Sequence, residues 1–153
     1  MQNVSSSYLE KIKEPSRSFE CRVTIGNNVY TNIDIINISI EYVQPSDGFT
    51  IGAAVSKSLE LTLSTNNTIY SNSKVKLEIG LNIGSTFEYI LIGNFHIEDI
   101  ISTDYSTKLT CYDNMIKFEK PYFSNLGKTS SLKNIVNELA TITGVEFTGS
   151  LPS

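Results

Sequence analysis

The chain has 153 residues, enough for one domain or for one domain plus the start of another, and its 40% hydrophobic content is too high for a disordered chain. A formal charge of −4 with no Lys/Arg-rich run argues against a protein that grips nucleic acid through its phosphates. The apolar stretches are too short and broken for a membrane helix. Met1-Gln2-Asn3-Val4-Ser5 has none of the basic and apolar character of a signal peptide, so the expectation is synthesis in a cytoplasm.

Ile, Val, Thr, Tyr and Phe are abundant and Trp is absent, a balance that favours strands, with Asn and Ser supplying turns. Ser5 to Glu14 reads as a short helix with Tyr8, Leu9 and Ile12 on one face and Pro15 as its stop, or else as an unanchored arm. From Arg17 the period becomes two. Phe19, Cys21, Val23 and Ile25 alternate with polar residues, which predicts a half-buried strand. Gly26-Asn27-Asn28 turns the chain, and Val29 and Tyr30 begin the return. Ile33 and Ile35 lie in one phase and Ile36, Ile38, Ile40 and Tyr42 in the other, which predicts a β-bulge or a bend between them.

Pro45-Ser46-Asp47-Gly48 is the next turn. Phe49, Ile51, Ala53 and Val55 share an odd phase that resumes at Leu59, Leu61 and Leu63, and Gly52-Ala53-Ala54 marks a kink or a close approach. A polar loop from Thr65 to Ser73 precedes a strand with Val75, Leu77, Ile79 and Leu81 inward. After Asn82-Ile83-Gly84, residues Phe87, Tyr89, Leu91, Phe95 and Ile97 are expected in one phase, with Gly93 where a side chain would stand. Ile90 and Ile92 on the other face suggest a strand covered on both sides. Thr103 to Ser106 turns the chain into a last strand over 108–111.

The remainder changes character. Asp113 caps a short helix over 113–118 with Met115, Ile116 and Phe118 inward, and Pro121-Tyr122-Phe123 leads out of it. Ser130 or Ser131 caps a second helix over 131–142, with Leu132, Ile135, Val136, Leu139 and Ile142 on one face and Gly144 as its stop. Val145 to Thr148 reads as the start of a strand. The organisation expected is an arm over 1–15, a mainly β, mostly antiparallel unit over 16–125, and a helix plus strand over 126–153 that opens a truncated second domain. There is no internal repeat.

No catalytic, cofactor-binding or metal-ligating residue is assigned. His96 is the sole histidine, placed on the polar side of its strand with Glu98 at i+2, while Asp99 points the other way. Cys21 and Cys111 stand apart without a CxxC or a nearby His, and read as small, reduced, buried apolar residues. No Gly-x-Ser-x-Gly elbow occurs, and Gly80 and Gly84 flank a hairpin rather than precede a phosphate-binding helix. The dispersed carboxylates, from Glu20 to Asp104, read as solvated strand faces. A glycosidase pair meets only in space, so sequence does not decide that case.

The order of segments carries a resemblance. Tyr8-Leu9-Glu10-Lys11-Ile12-Lys13-Glu14-Pro15-Ser16-Arg17 resembles the amino-terminal arm of tail proteins from phages and prophages of low-GC bacteria. Gly48-Phe49-Thr50-Ile51-Gly52-Ala53-Ala54-Val55 with Ser56 to Leu63, and Ile90-Leu91-Ile92-Gly93-Asn94-Phe95-His96-Ile97-Glu98, resemble strands of the same proteins. Leu109-Thr110-Cys111-Tyr112-Asp113-Asn114-Met115-Ile116-Lys117-Phe118-Glu119-Lys120-Pro121-Tyr122 resembles their strand-to-helix element. The family is the tail-hub or tail-associated proteins, whose amino-terminal part is related to the baseplate hub of contractile tails, and the likeness covers about residues 8–147.

That resemblance implies a β-barrel or split-barrel hub domain that forms a homo-trimer or other ring and contacts the distal tail protein and tail tube in a virion tail. The lack of catalytic and ligand-binding motifs adds the expectation of no enzyme activity and no cofactor. The alternatives are a carbohydrate-binding β-module of a phage tail and a non-catalytic fragment of a tail-associated lysin. The lytic activity of longer relatives does not carry over, because the residues that would perform it are not in this chain.

Overall fold

The computed structural model describes residues 4–42, 56–65, 67–71, 73–118, 121, 123–127 and 130–146. Strands β1 (Phe19–Ile25), β2 (Asn28–Tyr30), β3 (Ile35–Tyr42), β4 (Lys57–Leu63), β5 (Lys74–Asn82), β6 (Phe87–Ser102) and β7 (Thr107–Asp113) form a seven-stranded sheet in the order β2-β1-β5-β6-β7-β4-β3. Every pairing is antiparallel. Helix α1 (Ser6–Lys11) precedes the sheet; a 3-10 turn (Asn114–Phe118) and helix α2 (Leu132–Thr143) follow it.

Topology forces the sheet to curl. β2 and β3 are its two edges, yet they are consecutive in the chain and joined through Thr31–Asp34. Laid flat, seven strands at about 4.8 Å spacing would set those edges about 29 Å apart. The chain from Tyr30 to Ile35 spans about 18 Å at full extension. Only a curved sheet brings the edges within reach, so the fold is a mainly β half-barrel with minor helices. The core fills its concave side: Val23, Ile25, Leu59, Leu61, Leu63, Val75, Leu77, Phe95, Leu109 and Cys111 are buried together.

Three bulges supply curvature and reset side-chain phase. The first is the one predicted from the isoleucines. Register shifts between Ile35 and Asn37, so Ile36 is extra, and Ile35, Ile38 and Ile40 all pack on the core while Ile36 faces out. The other two lie in β6 and correct the reading of that strand. Leu77 pairs with Gly93 but Glu78 pairs with Leu91, leaving Ile92 extra. Phe87, Tyr89 and Leu91 therefore face away from the side holding Phe95 and Ile97, whereas Ile90 shares the phase of Ile79 and Ile92 packs on the core. The last bulge falls between Ile97 and Asp99 and returns Ile100 to the core side. Two bulges let one 16-residue strand serve both sides of a bend. Gly93 stands on the concave face beneath the Phe95 ring, 2.9 Å from where a Cβ would project, so the missing side chain is replaced by the neighbour's ring.

The caps of α2 are those expected, whereas α1 stops at Lys11, short of the predicted end before Pro15. Ser5 accepts from the Tyr8 N–H, and Ser131 accepts from the Asn134 N–H. Gly144 ends α2 at φ 65°, the left-handed conformation that favours glycine. The inward assignments are only partly right. Leu9, Phe19 and Met115 remain exposed. The predicted helix at 113–118 is a 3-10 turn, with the Asp113 carboxylate accepting from the Met115 N–H. Val145 and Glu146 are not in a strand, and the rest of that predicted strand lies outside the described residues, as do the turn at 45–48 and the alternation over 49–55.

Candidate functional site: the open seam between β1 and β3

The half-barrel does not close by strand pairing along its whole seam. β2 pairs with β1 at Val23–Ile25, so among the described residues the first half of β1 has no strand beyond it. There Asn32 substitutes for a strand. Its Oδ1 accepts from the Cys21 N–H at 2.8 Å, and its Nδ2 donates to the Phe19 carbonyl at 3.3 Å. The Thr31–Asp34 turn holds Asn32 in place, with the Thr31 N–H donating to the Asp34 carboxylate and the Ser64 N–H to the Asp34 carbonyl. One amide thus satisfies two backbone groups that would otherwise be open to edge pairing.

Behind Asn32 lies a groove of about 350 Å³, floored by Leu77 and Ile79 and walled by Phe19 and Cys21 on one side and Ile38 and Ile40 on the other. These residues are in core phase, yet Ile79 is 36% exposed and Phe19 45%. The concave face is an apolar surface that the described part of the chain leaves partly uncovered. Cys21 is half-buried here, which corrects its expected full burial, while Cys111 is fully buried; both are free. Burial raises the Cys111 thiol to about 12, and burial followed by the nearby Glu20 charge raises Cys21, so neither is a ready thiolate.

On the convex side of β1, β5 and β6, Glu78 is buried between two cations. Arg22 Nη2 lies 2.9 Å from Oε2 and Lys76 Nζ 2.7 Å from Oε1. Burial by itself would raise the Glu78 carboxyl, but hydrogen bonds from Lys76 and Arg22 outweigh it and hold the carboxyl below its usual range. Arg22 also stacks 3.5 Å above the Tyr89 ring, and the Tyr89 hydroxyl donates to Glu20. That ring covers Gly80, its cross-strand partner. The network locks the groove's floor strand to both neighbours with its donors and acceptors matched.

His96 meets Asn114, Nε2 to Oδ1 at 2.6 Å, rather than a carboxylate. The bulge after Ile97 also changes the expected geometry. His96 pairs with Tyr112 and Asp99 with Thr110, so Asp99 shares the face of His96 instead of opposing it. Among the described residues no three His, Cys, Asp or Glu side chains gather to hold a metal, and no helix is long and apolar enough to cross a membrane. Among the described residues, the exposed tyrosines Tyr42, Tyr70 and Tyr105 belong to three separate segments: an edge strand, a loop and a hairpin turn.

Sequence reasoning missed Asn32 and the Arg22–Glu78–Tyr89 network. Asn32 reads as an ordinary turn residue, and its role depends on which strand edge lies beside the turn. Arg22 and Glu78 do alternate outward in their strands, but their pairing follows from the β1–β5 register, which no local pattern encodes. No protein-family model and no curated protein sequence matches the chain.

Proposed function

We propose that the chain is a non-enzymatic structural component of a bacteriophage or prophage tail tip: a split-barrel hub module that self-assembles and joins the tail tube to tip proteins. The resemblance in segment order over about residues 8–147 supplies the family. The observation that carries the reading is the seam. A half-barrel with both edge strands on one side and an uncovered apolar groove between them suits a building block completed by neighbours, since heterologous contacts of such surfaces close into rings. Net negative charge suits a conduit that must pass DNA without gripping it. In this reading the partners are further copies in a trimer or other ring, the distal tail protein and the tail tube, and the location is the virion tail.

Light scattering across a micromolar concentration series, with negative-stain micrographs of the same samples, tests the assignment. Trimers or closed rings are expected. A strictly monomeric protein that also fails to bind tail-tube or distal tail protein would overturn it.

A further inference from the structure

Exposure along the floor of the groove is not monotonic. Core-side residues of β5 run Val75, Leu77, Ile79, Leu81, and their rung partners on β1 are Ile25, Val23, Cys21 and Phe19. Leu77 is buried and Ile79 opens to 36%, yet Leu81, farther out at the end of the sheet, is again fully buried. Leu81 lies outside the main core cluster, as does Tyr8, the one buried residue of α1. α1 packs against β5, and Glu88, the β6 partner of Leu81, receives both the Ser5 backbone N–H at 2.7 Å and the Ser5 hydroxyl. The arm therefore lies over Leu81 and reaches Glu88 on the concave side, at the end of the groove beyond Ile79.

The attachment is slight. A six-residue helix does not persist alone in water, so α1 exists only where it is held. Leu9 is half-exposed and Ile12 only partly buried, so Tyr8 and the Ser5–Glu88 clasp are the main tertiary anchors, with Arg17 donating to the Ile12 carbonyl at the return. The clasp also builds the cap. With its proton engaged by Glu88, the Ser5 hydroxyl turns a lone pair to the Tyr8 N–H at 3.1 Å. Losing Glu88 removes the docking contact and the helix start together.

We propose that residues 5–12 are a releasable strap: α1, held through Ser5 by Glu88, closes the Leu81 end of the apolar groove and leaves as a unit without unfolding the sheet. Release adds Leu81 to a groove that Phe19 already walls, so the strap sets how long an apolar surface the seam presents. The proposal concerns the chain itself and stands whether or not the tail-tip reading does.

Hydrogen exchange on the full chain tests it, reading the Tyr8, Leu9 and Ile12 amides against those of Val23, Leu77 and Leu109. In the unaltered protein the first set exchanges faster than the second. Glu88→Ala accelerates the first set by about tenfold or more and leaves the second unchanged. Tyr8→Ala does the same, and both variants bind more of an anilinonaphthalene sulfonate dye while keeping the far-ultraviolet circular dichroism of the sheet. Three results would each overturn the strap: α1 amides that exchange only with the sheet amides, α1 amides indifferent to Glu88→Ala, or a variant that speeds both sets equally. Released α1 amides without a rise in dye binding would overturn its closing of the groove.

Discussion

Leu59, Leu61 and Leu63 of β4 are fully enclosed, whereas Leu132, Ile135, Val136, Leu139 and Ile142 of α2 repeat at helical spacing with none of them buried. Both patterns are clean, and both elements form where their patterns predict. The difference is supply of neighbours. β4 lies between β3 and β7 beneath a curved sheet that folds its own surface over the strand. α2 meets the preceding loop, where the Ser124 hydroxyl and the Asn125 N–H donate to Glu138, and no residue of the helix is fully enclosed. Periodicity states which face an element will bury if something arrives to cover it. It does not state that something arrives.

The largest expected effect breaks the comparison if it fails. Leu61→Asp places an unpaired carboxylate in the closed core and should cost at least about 4 kcal/mol, enough to prevent folding. Leu139→Asp in α2 should cost less than about 1 kcal/mol of sheet stability in urea unfolding, mostly helix propensity. A soluble, cooperatively folding Leu61→Asp protein would mean β4 does not face the core. A comparable loss from Leu139→Asp would mean α2 belongs to it.

Gly93→Val probes how tightly the curved part of the core is packed. Its Cβ would stand 2.9 Å from the buried Phe95 ring, so a loss of about 1–3 kcal/mol is expected in the urea midpoint. An unchanged midpoint would mean the ring has room to move.

The two thiols compare the closed core with the seam directly. A disulfide reagent at mildly alkaline pH should label Cys21 before Cys111, because Cys21 lines the groove while Cys111 is enclosed with its thiol raised to about 12. Equal slow labelling of both would mean the groove is covered in solution.

The smallest effect is acid sensitivity on the convex side. The Glu78 carboxyl is held below its unfolded value of 4.5, so the stabilisation is complete above that pH and drains away as pH falls through the lower folded value. Urea midpoints measured from pH 6 to pH 3 should therefore fall more steeply in the unaltered protein than in Glu78→Gln. Parallel curves would assign the acid loss to other carboxylates.

Much of the secondary structure was legible in the amino-acid order. Alternation placed β1 and β4, the phase change among Ile33 to Ile40 announced a bulge, and Ser131 and Gly144 bounded α2, because each of these rests on interactions within a few residues. The seam was not legible. Asn32 acquires its role from the edge of a strand that precedes it by eleven residues, and Ser5 from a glutamate eighty-three residues away.

By itself, the sequence determined a β-rich chain, its turns, its helix caps and most of the residues offered to a core, since backbone preference and side-chain period act locally. Tertiary structure alone decided which offers were taken. The short link between the two edge strands compelled the sheet to curl, and the bulges at Ile92 and after Ile97 reversed which side of β6 faced inward. A buried Glu78 became stable once Arg22 and Lys76 were brought to it. Each of these depends on register between distant strands, where a one-residue slip exchanges inside for outside.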